Sequence, residues 1–316
     1  MNKLQNKKIL YVWKAAWPWD VRIDKFCHSI AKSGGEVTLL AKYEPGQSVI
    51  ENSDDFNIVR FGKNLSNYNT LPIPFNKKWY EFILQTASDI KADMIIVREI
   101  MLAKQCADVA KVLNIPVIMD MAENYPALMR LWKKYRYGIV NKILIHTLGL
   151  AEWTEKITVP RMDGIIVVCP EQISRLNDLY KYSEENISVI YNTPDLTFTK
   201  PEKNTSKHDN RIVFCHHGHL TDEKKIDKFL TTLLNYPNHQ EKFKFIIAGL
   251  GESLTELKQI YSDAGSPDNI EFFGSYKYED LGNILSTCDY GVLPYQVNDF
   301  NNYTIHNKIF DYFAFA

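Results

Sequence analysis

Three short stretches in the second half of this 316-residue chain join glycines to residues able to carry charge. His216-His217-Gly218-His219-Leu220 runs on into Thr221-Asp222-Glu223-Lys224-Lys225-Ile226-Asp227, and Gly249-Leu250-Gly251-Glu252 and Gly274-Ser275-Tyr276 follow in order. Each comes directly after an apolar run of strand length. A glycine turn between a strand and a helix start gathers backbone N–H groups in the way that cradles phosphate. One such turn is weak evidence; several in order carry more. A polar loop, Gln296 to Asn302, follows Pro294-Tyr295 and leads into a further helix. His216, His217 and His219 invite a zinc reading, but a fourth ligand and a nearby cysteine pair are missing. No metal is expected there. In the first half, Arg22 opens a helix and Arg98-Glu99 and Glu123 end strands, where they either bind a ligand or form structural ion pairs.

These residues need elements to hold them. Short apolar runs alternate with helical patterns, which is the signature of βαβ units and a parallel sheet. Strands are predicted at Ile9–Trp13, Val37–Ala41, Ile58–Phe61, Met94–Val97, Val117–Met119 and Gly164–Cys169. Helices are predicted at Arg22–Ser33, Phe75–Ile90, Ala103–Leu113 and Glu171–Tyr180, the first stopped by Gly34-Gly35. From Asn192 to Asn210 the chain is polar and holds two prolines, and this reads as a linker. The alternation then restarts, with strands Ile212–Cys215, Phe243–Ala248, Ile270–Phe273 and Tyr290–Leu293 between helices Glu223–Leu234, Ser253–Tyr261, Tyr278–Ser286 and Thr304–Ala316. The expectation is an α/β protein of two Rossmann-like, doubly wound domains facing a cleft. Their bounds are 1–192, a linker 193–210, and 211–316. The sequence stops inside an apolar helix, FDYFAFA, after only four strands of the second sheet. That second domain is expected to be incomplete, a fragment less stable than its parent.

Composition bounds the function. The net charge of −1 argues against a protein that coats nucleic acid, and 45% hydrophobic residues are ample for a core. Residues 1–160 carry 22 Lys and Arg against 16 Asp and Glu, while the remainder carries 15 against 22, so the halves face different partners. Five scattered cysteines read as reduced thiols in a cytoplasmic protein. Neither a signal peptide nor a spanning apolar stretch is present. The basic and aromatic run Arg130, Trp132, Lys133, Lys134, Tyr135, Arg136 and Tyr137, followed by Ile139, Val140, Ile143, Leu144 and Leu148, fits peripheral contact with the inner face of a membrane through residues 130–148. It also fits a helix that packs on its own domain.

HHGHLTDEKKID, IIAGLGE, IEFFGSYKYEDLGNILSTCDYGVLPY and NKIFDYFAFA, taken in order, resemble the second domain of family 4 glycosyltransferases, which have the GT-B fold. DVRIDKFCHSIAKSGGEVTLL and IIVREIMLAKQCADVAKVLNIPVIMDMAENYP resemble that family's first domain. The resemblance covers nearly the whole chain. It implies retaining transfer of a sugar from a nucleotide sugar, which is substrate rather than cofactor, to a glycan or lipid-linked acceptor in surface polysaccharide synthesis, without a bound metal. The family's Arg and Lys for the donor phosphates fall at His219 and Lys224. Gly218, Gly249, Gly251, Tyr276, Tyr303 and Thr304 fall where the donor binds. Asp311 takes the second place of the family's acid pair, toward the ribose, while the first place is Tyr303. Ala122 stands where the family has histidine, and Arg22, Arg98, Glu99 and Glu123 fall on the acceptor side. Two other readings stay open: another GT-B enzyme such as a sugar-nucleotide 2-epimerase, and a non-catalytic nucleotide-sugar-binding or scaffold protein. A nicotinamide dehydrogenase is disfavoured, because Trp13-Lys14-Ala15-Ala16-Trp17 follows the first strand in place of G-x-G-x-x-G.

Overall fold

A computed structural model describes residues 4–18, 20–53, 55–132, 135, 138–194 and 210–315. The chain divides into two compact units, Met1–Tyr191 and Asn192–Ala316. Residues 195–209 of the expected linker lie outside the described residues, as do Lys133, Lys134, Arg136 and Tyr137.

The first unit is built on an eight-stranded sheet. In chain order its strands are β1 (Lys8–Val12), β2 (Glu36–Lys42), β3 (Ile50–Asn52), β4 (Asn57–Phe61), β5 (Met94–Arg98), β6 (Val117–Met121), β7 (Gly164–Val167) and β8 (Ile187–Val189). In space the order is β3-β4-β2-β1-β5-β6-β7-β8. All neighbours run parallel except β3 and β4, which are antiparallel. Ile9, Tyr11, Val37, Leu39 and Ile58 alternate onto one face and pack with Ile23, Cys27 and Ile30 of the helix Val21–Lys32. Asp20 starts that helix by accepting hydrogen bonds from the N–H groups of Arg22 and Ile23. The order of strands reverses between β1 and β5, so the crevice at their carboxyl ends is where such a sheet places ligands.

The second unit has four parallel strands, β9 (Ile212–His217), β10 (Phe243–Ala248), β11 (Ile270–Gly274) and β12 (Tyr290–Gly291), in the order β11-β10-β9-β12. Period-two alternation divides β10 between two cores. Phe245 and Ile247 meet Leu230 and Leu257, whereas Ile246 and Ala248 meet Leu281, Ile284 and Phe315. Here the reversal falls between β9 and β12.

Several expected bounds shift. The helix expected from Glu223 spans Ile226–Leu234, because Asp222–Lys224 form a 3₁₀ turn and Lys225 is left-handed at φ 53°. The helix expected from Thr304 spans Asn307–Phe315; Asn301–Tyr303 make a separate 3₁₀ turn and Thr304 is extended. Strands β3 and β8 have three residues each and were not foreseen, being too short to show a period. The helices Tyr125–Leu131 and Leu150–Thr158 were also not foreseen.

One charged contact ties the first unit together. Asp120, fully buried at the end of β6, accepts from Arg22 Nη2 at 2.7 Å and Nε at 2.9 Å, and from the Tyr11 hydroxyl at 2.7 Å. Burial alone would raise the Asp120 pKa, but Arg98 and Arg22 hold it below the usual carboxylate range. Removing one partner of a buried pair leaves an uncompensated charge. Arg22→Leu is therefore expected to destabilise the fold by about 3–5 kcal/mol, read as a lower midpoint in urea unfolding of the full chain. A midpoint within error of wild type would show that Arg98 alone satisfies Asp120.

Candidate functional site

In the second unit the glycine turns interlock through backbone. A Cβ at Gly249 would lie 2.0 Å from the Gly218 carbonyl oxygen, and one at Gly251 would lie 2.0 Å from that of Leu220. Only glycine permits these approaches. They are held by Gly218 N–H donating to Ala248 O at 2.9 Å, Leu220 N–H to Leu250 O at 2.9 Å, and Gly249 N–H to Gly274 O at 2.7 Å. The ends of β9, β10 and β11 thus form one backbone-lined edge.

Side chains converge on that edge where β9 meets β12. Lys308, from the first turn of Asn307–Phe315, lies over Gly218, whose Cβ position is 3.3 Å from Lys308 Nζ. Lys224 comes from the 3₁₀ turn after β9 and donates to the His219 carbonyl. The two ammonium groups are close enough to interact directly. Burial and the charge of Lys224 push the Lys308 pKa down to about 7, and burial lowers that of Lys224. Three imidazoles surround them. His216 Nδ1 donates to Val292 O at 2.8 Å, and His217 Nδ1 hydrogen-bonds the Tyr276 hydroxyl at 3.0 Å. His306 Nε2 donates to Asn301 Oδ1 at 3.0 Å. Burial, reinforced by the two lysines, lowers all three, His217 to about 3 and His306 to about 4. Nε2 of His216 and of His217 is buried without a hydrogen-bond partner. Every basic group here is discouraged from holding its proton, so negative charge brought among them is favoured on all sides.

The expected site residues fall as follows. Gly218, Lys224, Gly249, Gly251, Tyr276 and Asp311 belong to this edge of the second unit. Asp311 is 6% exposed, with Oδ2 3.7 Å from His217 Nε2, and its charge favours the proton on Lys308. The His219 ring is exposed, and its carbonyl is the part that meets Lys224. Tyr303 and Thr304 precede the helix by a 3₁₀ turn and an extended residue, so they offer no helix-start amides. The Asn301 side chain bonds Gln296 O and His306, and Asn298 caps the short turn. Lys308 and His306 were missed. Lys308 sits three residues before Asp311, the spacing of one helical face, and that signal could have found it.

In the first unit, Arg22 is spent on Asp120 and on the Ile190 carbonyl. Arg98 reaches Glu99 at 2.9 Å, Asp20 at 3.4 Å and Asp120 at 3.6 Å. Both arginines serve as ion-pair partners of buried carboxylates. Glu99, at the end of β5, has φ 66° and is 3% exposed, with Oε2 unpartnered. Burial outweighs Arg98 and brings its pKa up to about 7; Glu123 is raised for the same reason. Among the described residues no group of three or more His, Cys, Asp or Glu is placed to hold a metal ion, and no helix is long and apolar enough to cross a membrane.

Comparison with known proteins follows this geometry. Residues 198–300 match the family described as glycosyl transferases group 1. No curated protein sequence matches the chain. Among solved structures, sucrose-phosphate synthase from Thermosynechococcus elongatus is similar with a TM-score of 0.69 at 14% identity, over 93% of this chain and 77% of that one. HepE of Anabaena, in complex with UDP, gives 0.60 at 13% identity over 93% and 75%. WaaG, a glycosyltransferase involved in lipopolysaccharide biosynthesis, gives 0.61 at 11% identity over 92% and 76%.

The lysine pair makes anion binding depend on pH. An anion between Lys224 and Lys308 raises the Lys308 pKa above its free value of about 7. Below that pH both states carry the proton and affinity is flat with respect to this group. Above it binding must take up a proton, so affinity falls as pH rises, by up to tenfold per unit. Titration with inorganic pyrophosphate between pH 6 and 9 should show this loss, and Lys308→Arg should flatten it. A profile that rises with pH, or is unchanged in Lys308→Arg, would exclude Lys308 as the contact.

Proposed function

We propose that this chain, a GT-B-fold protein whose second unit matches the group 1 glycosyl transferases, moves a sugar from a nucleoside diphosphate donor to a glycan or lipid-linked acceptor with retention of configuration. The observation that carries this reading is the convergence of Lys224 and Lys308 on the glycine-lined edge at Gly218. As the bond between the anomeric carbon and the donor's terminal phosphate oxygen breaks, negative charge grows on that oxygen. Fixed cations and backbone amides in a buried setting stabilise such charge strongly, and they need no reorganisation to do so. Asp311 favours the protonated Lys308 within the apolar surroundings. In this reading the lysine pair does the work of charge neutralisation.

The acceptor class, a growing surface polysaccharide, is supported by the likeness to WaaG. Peripheral contact with a membrane is supported by one apolar face of the first unit. Ile139, Val140 and Leu148 are 80%, 68% and 66% exposed, beside exposed Lys142. Basic residues next to an apolar helical face suit an anionic lipid surface.

Two experiments test the reading. A thermal-shift screen with UDP, GDP and their sugars should raise Tm, since ligand at ~100 times its Kd adds ~2.7 kcal/mol of stability. Lys224→Ala or Lys308→Ala should lower turnover by about two to three orders of magnitude, the loss typical of removing one such donor. Binding without turnover on any acceptor would favour the non-catalytic alternative, and no shift with any nucleotide would refute the donor site. For the membrane, Val140→Asp should abolish cosedimentation with phosphatidylglycerol vesicles and leave nucleotide binding intact. Cosedimentation equal to wild type would place the contact elsewhere.

A further inference from the structure

Of the chain's cysteines, Cys27, Cys106, Cys169 and Cys215 are buried and Cys288 is half-exposed. Cys215 lies on β9, and Cys288 lies far along the chain, in the turn from helix Leu281–Leu285 into β12. Their side chains nevertheless meet. Cys288 packs on the cluster that holds Cys215, Ile246, Leu281 and Ile284, and the two thiols hydrogen-bond each other. The backbone fixes this meeting. Asp289 N–H donates to Val213 O at 2.8 Å, Val213 N–H donates to Asp289 Oδ2 at 3.0 Å, and Gly291 stands opposite Cys215 in the ladder. Val213 and Cys215 face the same side of β9, because side chains two apart share a face. The turn that carries Cys288 is thus tied to the strand that carries Cys215.

The two thiols differ in reactivity. The hydrogen bond from Cys215 holds the Cys288 pKa below the ordinary thiol value, while that bond and burial raise the pKa of Cys215. A half-exposed thiol that ionises readily, beside a buried second thiol, is the arrangement of an attacking and a resolving cysteine. The pair also borders the anion site. The Cys215 carbonyl accepts from the Tyr312 hydroxyl at 3.1 Å, and the Tyr312 ring lies 5.1 Å from that of His217. Tyr312 follows Lys308 by one turn on the same face of helix Asn307–Phe315, and it packs on the cluster that holds Leu281, Ile284 and Leu285.

We propose that Cys215 and Cys288 form a reversible disulfide under peroxide, a redox latch that weakens anion binding at Lys224 and Lys308. The Cys288 thiolate attacks one oxygen of hydrogen peroxide and the O–O bond breaks. Cys288 becomes a sulfenic acid, and the departing hydroxide leaves as water with the proton the thiol gave up. The Cys215 sulfur then attacks the Cys288 sulfur, the S–O bond breaks, and a second water leaves with the Cys215 proton. The thiols lose two electrons and the peroxide gains them. Two sulfurs in contact must close to about 2.0 Å to bond. Strand β9 is held by β10 on one side and β12 on the other, so the end of helix Leu281–Leu285 makes the move. That shift displaces Tyr312 and draws Lys308 off Gly218. Formation of the bond stands apart from the transferase reading; its effect on binding rests on the lysine pair as an anion site.

The test treats the reduced full chain with hydrogen peroxide and follows it by peptide mass mapping, hydrogen–deuterium exchange and titration with inorganic pyrophosphate. Peptides bearing Cys215 and Cys288 should become joined within one chain, with the loss of two hydrogens, and dithiothreitol should release them. Dimedone added early should trap the sulfenic acid on Cys288. Exchange in helix Asn307–Phe315 should quicken as its Tyr312 contacts are lost, and pyrophosphate should bind about fivefold more weakly, the lower end of ordinary coupling between two sites. Cys288→Ser, at a half-exposed position, should bind pyrophosphate as wild type does and lose the response to peroxide. No link between Cys215 and Cys288, or a link between two chains in its place, would overturn the inference. So would equal pyrophosphate affinity of the reduced and oxidised forms, or a peroxide response that survives in Cys288→Ser. If pyrophosphate binds neither form, the anion-site reading fails and exchange in Asn307–Phe315 decides: faster exchange upholds the latch, and unchanged exchange overturns it.

Discussion

The close approach of two glycine turns, in which Gly249 and Gly251 touch the carbonyls of Gly218 and Leu220, is the constraint on which the second unit's chemistry depends. No side chain fits between them, so the carboxyl ends of β9 and β10 are locked together through main-chain groups. That leaves Gly218 bare on its outer side, and Lys308 lies down on it. A Cβ there would stand 3.2 Å from Lys308 Cε. Any larger residue at Gly218, which has φ 94°, would strain the backbone and displace the lysine together. Backbone conformation and charge placement are therefore one feature.

The two units handle buried charge in opposite ways. In the first, Asp120 is answered by Arg22 and Tyr11 and its charge is stabilised in place. In the second, Lys224 and Lys308 face each other among three neutral imidazoles, with Asp311 as the nearby carboxylate. The first arrangement holds a fold together; the second spends stability. Because the folded pKa of Lys308 is depressed to about 7, the unfolded chain binds the extra proton above that pH. This group's penalty is full below about pH 7 and is relieved as pH rises toward the ordinary lysine value. Glu99 shows the same tension on a smaller scale, with left-handed backbone and an orphan oxygen at the first unit's own reversal point.

Much of this was legible in the sequence. Runs such as Phe243–Ala248 declared their strands because both faces of a central parallel strand are buried. The glycine turns lie at the carboxyl ends of β9, β10 and β11, as their order after the strands implies. Three-residue strands such as Ile187–Val189 have no period to read. The helix expected from Thr304 begins instead at Asn307, because Asn298 caps a 3₁₀ turn at Asn301–Tyr303 and Thr304 is extended. Lys308 is far in sequence from the glycine turn after β9, and only folding brings the helix Asn307–Phe315 over Gly218. The second half carries an acidic surplus overall, yet its two site lysines lie together and half-buried on one edge of the sheet.

Half-burial of these lysines bears on how an anion would bind between them. A surface lysine is hydrated and loses much of its attraction for an anion to water and salt. Lys308, whose pKa burial and Lys224 push down to about 7, has already given up part of that hydration before an anion binds. The anion then supplies the missing counter-charge, restores the proton, and relieves the repulsion between Lys224 and Lys308. Binding, proton uptake and stabilisation of the second unit are thus one linked event. In the proposed reaction, departure of the sugar from the diphosphate would increase the negative charge at the same point, so the stabilisation would grow along the reaction coordinate, which is the condition for an electrostatic site to accelerate a step and not merely to hold a substrate.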